Sequence, residues 1–94
     1  MELLKISPSK VKNKRYTATF SINDKIKKVH FGSPSYSNYT IHRDEKRKKA
    51  YLKRHQKNED WDSPITPGAL SRWILWNKPT LSASVADFKR RYDV

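Results

Sequence analysis

The sequence contains no cysteine, only two glycines among its 94 residues, and no apolar stretch long enough to span a bilayer. Without cysteine, neither a disulfide framework nor a thiolate zinc site can form. The two isolated glycines, Gly32 and Gly68, cannot build a glycine-rich phosphate loop. The first residues, Met-Glu-Leu-Leu-Lys-Ile, lack the basic region and the long apolar run of a signal peptide. We therefore expect a soluble, intracellular protein.

Acidic residues are also scarce, because 9 Asp and Glu stand against 21 Lys and Arg and leave a formal net charge of +12. So large an excess on a short chain exceeds what solubility requires and indicates a polyanionic partner. Nucleic acid, an anionic membrane face and an acidic protein surface are the candidates. Residues 1–39 carry 8 basic and 2 acidic residues, whereas residues 61–94 carry 5 and 3. Most of the charge therefore precedes the apolar C-terminal part of the chain.

The chain has the length of one small domain, and no internal repeat or long linker divides it. Predicted strands occupy its first third, and predicted helices follow. We therefore predict a single basic α+β domain over residues 1–94. In it, an N-terminal antiparallel β-hairpin or three-stranded sheet packs against two or three C-terminal helices.

The clearest strand covers residues 15–22, where apolar and polar side chains alternate. A two-residue turn at Asn23 and Asp24 leads to a return strand over residues 26–31. This turn pairs Ala18 with Val29, so that the apolar side chains of both strands meet on one face. The opposite face is polar and basic and carries Thr17, Thr19, Lys28 and His30. A short strand followed by a basic loop is also expected over residues 1–15.

Residues 42–58 have a strongly helical composition, with Asp44 and Glu45 in the expected first turn. Lysines and arginines form adjacent stripes along this helix at helical spacing. A solvated helix face is the alternative, but no acidic residue interrupts the cluster, so we favour phosphate binding. The candidate nucleic-acid-binding residues of the helix are Arg43, Lys46, Arg47, Lys49, Lys53, Arg54 and Lys57. A second contact region is expected at Lys10, Lys12, Lys14 and Lys28.

Large apolar residues crowd together only in residues 66–80, here called the tryptophan segment. Thr66 is placed to cap a helix of about three turns that begins at Pro67. Leu70, Trp73 and Ile74 follow the helical period, and Leu75 and Trp76 spread apolar surface around most of the remaining circumference, so the rest of the chain or a partner must cover the helix. We take Trp73 and Trp76 as candidate protein-interface residues. A last helix follows, with Thr80 as its cap and an apolar stripe of Leu81, Val85, Phe88 and Tyr92.

Tyr36 and Tyr39 lie in the polar loop after the hairpin and have two alternative roles. They can pack at the edge of the core, or they can offer surfaces on which bases stack. We favour packing, because a small core needs aromatic area.

No motif of a catalytic or metal site is evident. His30, His42 and His55 lack the paired spacing that is typical of metal sites. The acidic turn at residues 59–62 is more typical of a surface loop than of a Mg²⁺ site, because two-metal sites draw carboxylates from several elements. The sequence also lacks the signatures of an RRM, a zinc finger and a GXXG clamp. We therefore expect no enzymatic activity, no cofactor, no metal and no small-molecule substrate.

Four segments of the chain, residues 29–32, 36–42, 51–55 and 68–81, carry a resemblance to a known group of proteins. The string Leu-Ser-Arg-Trp-Ile-Leu-Trp-Asn-Lys-Pro-Thr-Leu is its most specific part. With these segments the chain resembles small, basic, uncharacterised proteins of giant nucleocytoplasmic large DNA viruses. The resemblance implies a viral protein that acts in the virion, the host-cell cytoplasm or a viral factory. It implies no catalytic residue.

Two functions of different classes follow from these observations. The first is a non-enzymatic viral protein that binds nucleic acid, DNA more than RNA, through its phosphates and without sequence specificity. The second is a virion structural or assembly protein, such as a minor capsid protein, that docks on an acidic protein or membrane surface. A large exposed patch at Trp73 and Trp76 would favour the second function, and buried tryptophans would favour the first. The sequence leaves the oligomeric state open.

Overall fold

A computed structural model describes all 94 residues as a three-stranded antiparallel sheet followed by helices, which confirms the predicted α+β class. The strands β1 (Glu2–Pro8), β2 (Tyr16–Ile22) and β3 (Lys25–Phe31) are arranged in the order β1-β2-β3. The helices are α1 (Tyr39–His42), α2 (Glu45–His55), α3 (Pro67–Leu70) and α4 (Leu81–Tyr92). A π-helical turn, Ser71–Leu75, continues α3 directly. No helix is long and apolar enough to cross a bilayer.

The hairpin of β2 and β3 has the predicted register. Tyr16 pairs with Phe31, and Ala18 pairs with Val29. Asn23 and Asp24 both have positive φ, 49° and 64°, as the two central residues of a type I′ turn require. Because the side-chain period of a strand is 2, this register puts the apolar side chains of both strands on the same face.

Strand β1 pairs with the other side of β2 through a bulge between Leu3 and Lys5. The extra residue, Leu4, is exposed, whereas Leu3 is buried in the core. The bulge shifts the alternation of β1 by one residue and places Lys5 opposite Thr19, on the polar face of the sheet.

The core lies between the apolar face of the sheet and the tryptophan segment with α4. Its fully buried side chains come from every one of these elements: Leu3, Ala18, Phe20, Phe31, Leu70, Ile74, Leu75 and Phe88. At the end of β3, Gly32 has a φ of +80°, and a Cβ at this position would lie 2.8 Å from Cδ1 of Leu75. Glycine at position 32 therefore lets the chain leave the sheet against the tryptophan segment.

The tryptophan segment begins as predicted but does not form a continuous α-helix of three turns. The Thr66 side chain accepts a hydrogen bond from the backbone N–H of Ala69, and Pro67 opens the first turn. From Ser71 the helix widens, and the N–H of Trp76 donates to the carbonyl of Ser71. The wider turn adds a residue to the helix, and Leu70, Ile74 and Leu75 are all buried in the core.

The predicted basic helix over residues 42–58 is wrong at both ends. Arg43 has a left-handed conformation, φ 54° and ψ 35°, which ends the short helix α1. Asp44 then caps α2, because its side chain accepts hydrogen bonds from the backbone N–H groups of Lys46 and Arg47. Helix α2 ends at His55, so that Arg43 and Lys57 lie outside it. Lys57 was predicted to extend a stripe of lysines along this helix, and the stripe on α2 therefore consists of Lys46, Lys49 and Lys53.

Candidate nucleic-acid interface

Helix α2 forms one wall of a cleft of about 680 Å³. Its side of the cleft presents Arg47, Ala50 and Arg54, which are spaced by three and four residues and therefore share one helix face. The opposite wall comes from the loops on either side of the hairpin and includes Lys14 and Tyr36. Leu75 and Trp76 also line the cleft, where the tryptophan segment meets α2.

An aromatic stack attaches α2 to the tryptophan segment. The Tyr51 and Trp76 rings are 4.2 Å apart between centroids and nearly parallel, at 4°. His55 stacks on the other face of Tyr51 at 4.2 Å, and His42 packs on Trp76 at 5.2 Å. Burial raises the pKa of the Tyr51 hydroxyl. These four rings form a connected series of contacts that holds α2 against the tryptophan segment.

Two cations, one in α2 and one just before its cap, complete the attachment of this part of the chain. The Lys48 ammonium donates to the carbonyl of Asn77 at 2.7 Å and lies 4.7 Å from the centre of the Tyr39 ring. Burial lowers the pKa of Lys48. The Arg43 guanidinium donates to the carbonyl of Pro79 at 3.0 Å. Arg43, a predicted phosphate ligand, thus has a structural bond to the tryptophan segment.

The predicted basic residues are all exposed, but they lie in different places. Lys46, Lys49 and Lys53 form an outer stripe on α2, which does not line the cleft. Arg47, Arg54 and Lys14 line the cleft. Lys10 and Lys28 lie at the polar face of the sheet, whereas Lys12 and Lys57 lie in turns outside both depressions.

The polar face of the sheet carries a shallow depression of about 250 Å³. Lys5, Thr19 and Lys28 are aligned across the three strands, and Ser7, Thr17 and His30 form the next row. The Thr17 hydroxyl lies 2.8 Å from Nδ1 of His30, whereas the buried hydroxyl of Thr19 has no partner. The sequence pattern did not place Lys5 on this face, because the bulge at Leu4 interrupts the alternation of β1.

Few of the cations are neutralised within the molecule. Of the 21 Lys and Arg side chains, only Arg47, Arg90 and Arg91 form ion pairs with carboxylates. The pair of Arg47 with Asp44 is long, 3.9 Å, and exposed, so it contributes little. The other two cations both bind Asp87 in α4, away from the cleft.

The acidic side chains are instead occupied by internal hydrogen bonds. Five of the nine accept bonds that cap helices or hold loops: Asp44, Glu45, Glu59, Asp60 and Asp87. Glu59 is the carboxylate that lines the cleft, and it accepts from His55 at 2.9 Å and from the Trp61 indole at 2.9 Å. The positive charge around the cleft is therefore largely uncompensated.

The two loop tyrosines have different environments, so the expectation that both pack is confirmed only for Tyr39. Tyr39 is 7% exposed, and its hydroxyl donates to Glu45, which raises the pKa of Tyr39. Tyr36 is 75% exposed and lines the cleft. Polar residues flank both tyrosines, so the local sequence does not distinguish them.

The candidate interface residues Trp73 and Trp76 do not form an exposed patch. Both are half-buried. The Trp73 ring has the guanidinium carbons of Arg91 at 3.6 Å and Arg72 at 4.0 Å from its centre. Trp76 has two ring partners, since it stacks on Tyr51 and contacts His42. The rest of the chain thus covers most of the apolar surface of the tryptophan segment.

The structure gathers no group of three histidine or carboxylate side chains that could hold a metal ion. The comparison with curated proteins found no significant match. The comparison with solved structures likewise found none. One family model matches residues 4–55, which contain most of β1, the whole hairpin of β2 and β3, and the helices α1 and α2. The chain therefore belongs to this family of unknown function, DUF5754.

Proposed function

We propose that this protein binds nucleic acid, DNA in preference to RNA, through the phosphate backbone and without sequence specificity. The observation that carries the proposal is the charge of the surface: 18 of the 21 Lys and Arg side chains have no carboxylate partner. Most of these 18 side chains are exposed, while most of the carboxylates accept hydrogen bonds within the protein. When cationic side chains neutralise phosphates, the counterions condensed on the nucleic acid are released, and this release favours binding.

Helix α2 has the dimensions of a phosphate-contacting element. Its eleven residues span about 16 Å at 1.5 Å per residue. One DNA strand presents a phosphate about every 3.4 Å, so several phosphates lie along this length. Lys46, Lys49 and Lys53 project from one side of α2, and like charges at this spacing repel one another. A polyanion relieves this repulsion, which supports α2 as the main contact.

The half-buried state of Trp73 and Trp76 supports nucleic-acid binding over docking of a capsid protein. Protein interfaces are centred on exposed aromatic anchors, and here these rings are engaged internally. The resemblance to small basic proteins of giant viruses makes a viral genome the proposed polyanion. The proposed place of action is then the virion, the cytoplasm of the infected cell or a viral factory.

The test is a salt titration of binding to a random DNA duplex. We expect micromolar or tighter affinity whose logarithm falls steeply with the logarithm of the salt concentration. The variant Lys46→Glu/Lys49→Glu/Lys53→Glu should lose most of the affinity and reduce the slope by about 3, one for each lost phosphate contact.

The matched control is Lys25→Glu/Lys27→Glu/Lys89→Glu, which changes the net charge equally at exposed lysines of β3 and α4. This control should keep most of the affinity. Absence of binding near about 150 mM salt would refute the proposal. Equal losses in both variants would refute the role of α2.

A further inference from the structure

We propose that the cleft beside α2 binds an unpaired segment of nucleic acid, so that the protein prefers single strands to duplex. This inference rests on the proposed function and specifies the form of nucleic acid. It assigns the stacking surface to Tyr36 and the phosphate contacts to Lys14, Arg47 and Arg54, all of which line the cleft.

The shape of the cleft favours a flexible single strand. A duplex is a stiff rod with its bases stacked inside, so it meets a protein surface with its phosphates and groove edges, and its bases cannot enter a cleft. A concave volume of about 680 Å³ is of the size that takes small organic groups. Bases of a single strand can enter it, because they are not held in a duplex stack.

Tyr36 is the one aromatic side chain of the cleft that has no ring partner. The other rings that line it all have ring partners: Tyr51 stacks on Trp76 and His55, and His42 contacts Trp76 at a tilt. Tyr36 is 75% exposed, and its hydroxyl makes no hydrogen bond within the protein. An exposed ring at the rim of a basic cleft is the platform that single-strand-binding proteins provide for bases.

The backbone around Tyr36 is held in place before any ligand binds. The Arg15 guanidinium donates to the carbonyls of Tyr36 at 3.0 Å and Pro34 at 3.4 Å. Its Nε donates to the carbonyl of Ser33 at 3.4 Å. Arg15 itself is fixed because its backbone N–H donates to the carbonyls of Phe31 and Gly32. Preorganisation of this loop lowers the entropic cost of binding.

The charges of the cleft lie on both of its walls. Arg47 and Arg54 come from α2, and Lys14 comes from the opposite loop. The only carboxylate at the cleft, Glu59, already accepts two hydrogen bonds from the protein. A strand that runs between these walls is contacted by cations on both sides of its backbone.

The experiment compares a 15-nucleotide oligo-dT, on the order of one single-strand site, with a duplex of equal length at one salt concentration, by fluorescence anisotropy. We expect the wild type to bind the single strand more tightly. Tyr36→Ala should weaken single-strand binding about tenfold or more and leave duplex binding unchanged. Tyr36→Phe, which keeps the ring, should bind like the wild type. An oligo-U of equal length shows whether the favoured single strand is DNA or RNA.

A second pair of variants separates the cleft from the outer stripe at equal charge. Arg47→Glu/Arg54→Glu should reduce single-strand binding more than Lys46→Glu/Lys53→Glu does. Equal binding of both nucleic acids with no effect of Tyr36→Ala would overturn the inference and leave the proposed function intact. Failure to bind either nucleic acid would overturn both.

Discussion

Thr17 and Thr19 are neighbours on the polar face of β2, yet only one of their hydroxyls has a partner. Both residues are 6% exposed. We expect Thr19→Val to stabilise the protein by about 1 kcal/mol, because it removes a buried hydroxyl without a hydrogen bond and keeps the β-branched shape. Thr17→Val should destabilise it by about 1 kcal/mol, because the bond to His30 is lost.

Urea denaturation of the two valine variants checks this prediction, and each variant is the control for the other. The two substitutions make the same chemical change in the same strand, and they differ only in whether the lost hydroxyl had a hydrogen-bond partner. Equal changes in the free energy of unfolding, with the same sign, would contradict the prediction.

Asp87 joins the end of the tryptophan segment to α4. Its carboxylate accepts from the Asn77 amide at 2.6 Å and from Arg90 at 2.8 Å. Burial acts to raise the pKa of Asp87, but the hydrogen bonds from Asn77, Arg90 and Arg91 outweigh it and hold the pKa below its usual value. We expect Asp87→Ala to cost about 2 kcal/mol at neutral pH, since it also leaves the buried Asn77 amide without an acceptor.

The contribution of Asp87 to stability depends on pH with a definite sign. Because its pKa is lower in the folded than in the unfolded state, ionised Asp87 stabilises the protein above the unfolded pKa, about 3.9. This contribution is lost as the pH falls through the folded value. The difference in unfolding free energy between wild type and Asp87→Ala should therefore shrink in acid. A difference that is constant from pH 7 to pH 2 would contradict it.

At the scale of elements, α2 is attached mainly through one side chain. Tyr51 is its only buried residue, and it stacks on Trp76. We expect Tyr51→Ala to cost about 3 kcal/mol, typical of a large aromatic truncation, with the loss concentrated in α2. Hydrogen exchange should show at least tenfold lower protection of the α2 amides and little change in β2 and β3. Uniform loss of protection would show that α2 and the sheet unfold together.

The elements that the sequence predicted well are those with a local period. The hairpin register followed from the alternation of Tyr16, Ala18, Phe20 and Ile22 and from a two-residue turn. The bounds of α2 could not be predicted in this way. They depend on the left-handed conformation of Arg43 and on the cap formed by Asp44, both inside a run of helix-forming residues. The stack of Tyr51 on Trp76 joins residues 25 positions apart, and no pattern in the sequence specifies such a contact.

The same limit applies to the candidate site. The exposed lysines and arginines could be named from the sequence, because charged side chains stay at the surface. Their division into an outer stripe on α2, a cleft and a sheet face could not, because it depends on how the tryptophan segment orients α2. For Tyr36 the sequence left packing and base stacking open and favoured packing, whereas its ring is exposed and lines the cleft.

At the scale of the whole molecule, the net charge of +12 opposes folding by self-repulsion. The molecule measures 41 × 27 × 25 Å, and the Debye length is about 30 Å at 0.01 M salt but about 10 Å at 0.1 M. At low salt each cation therefore repels nearly all others, whereas at higher salt it repels only its neighbours.

We therefore expect the melting temperature to rise by several degrees between about 0.01 M and 0.1 M NaCl, since about 1 kcal/mol shifts it by about 4–8 °C in a domain of this size. The variant Lys46→Glu/Lys49→Glu/Lys53→Glu, with half the net charge, should melt higher at low salt and respond less to added salt. Differential scanning calorimetry measures both. A melting temperature that is independent of salt in both proteins would mean that the free cations lie too far apart to repel one another, and it would weaken the case that they act together on one polyanion.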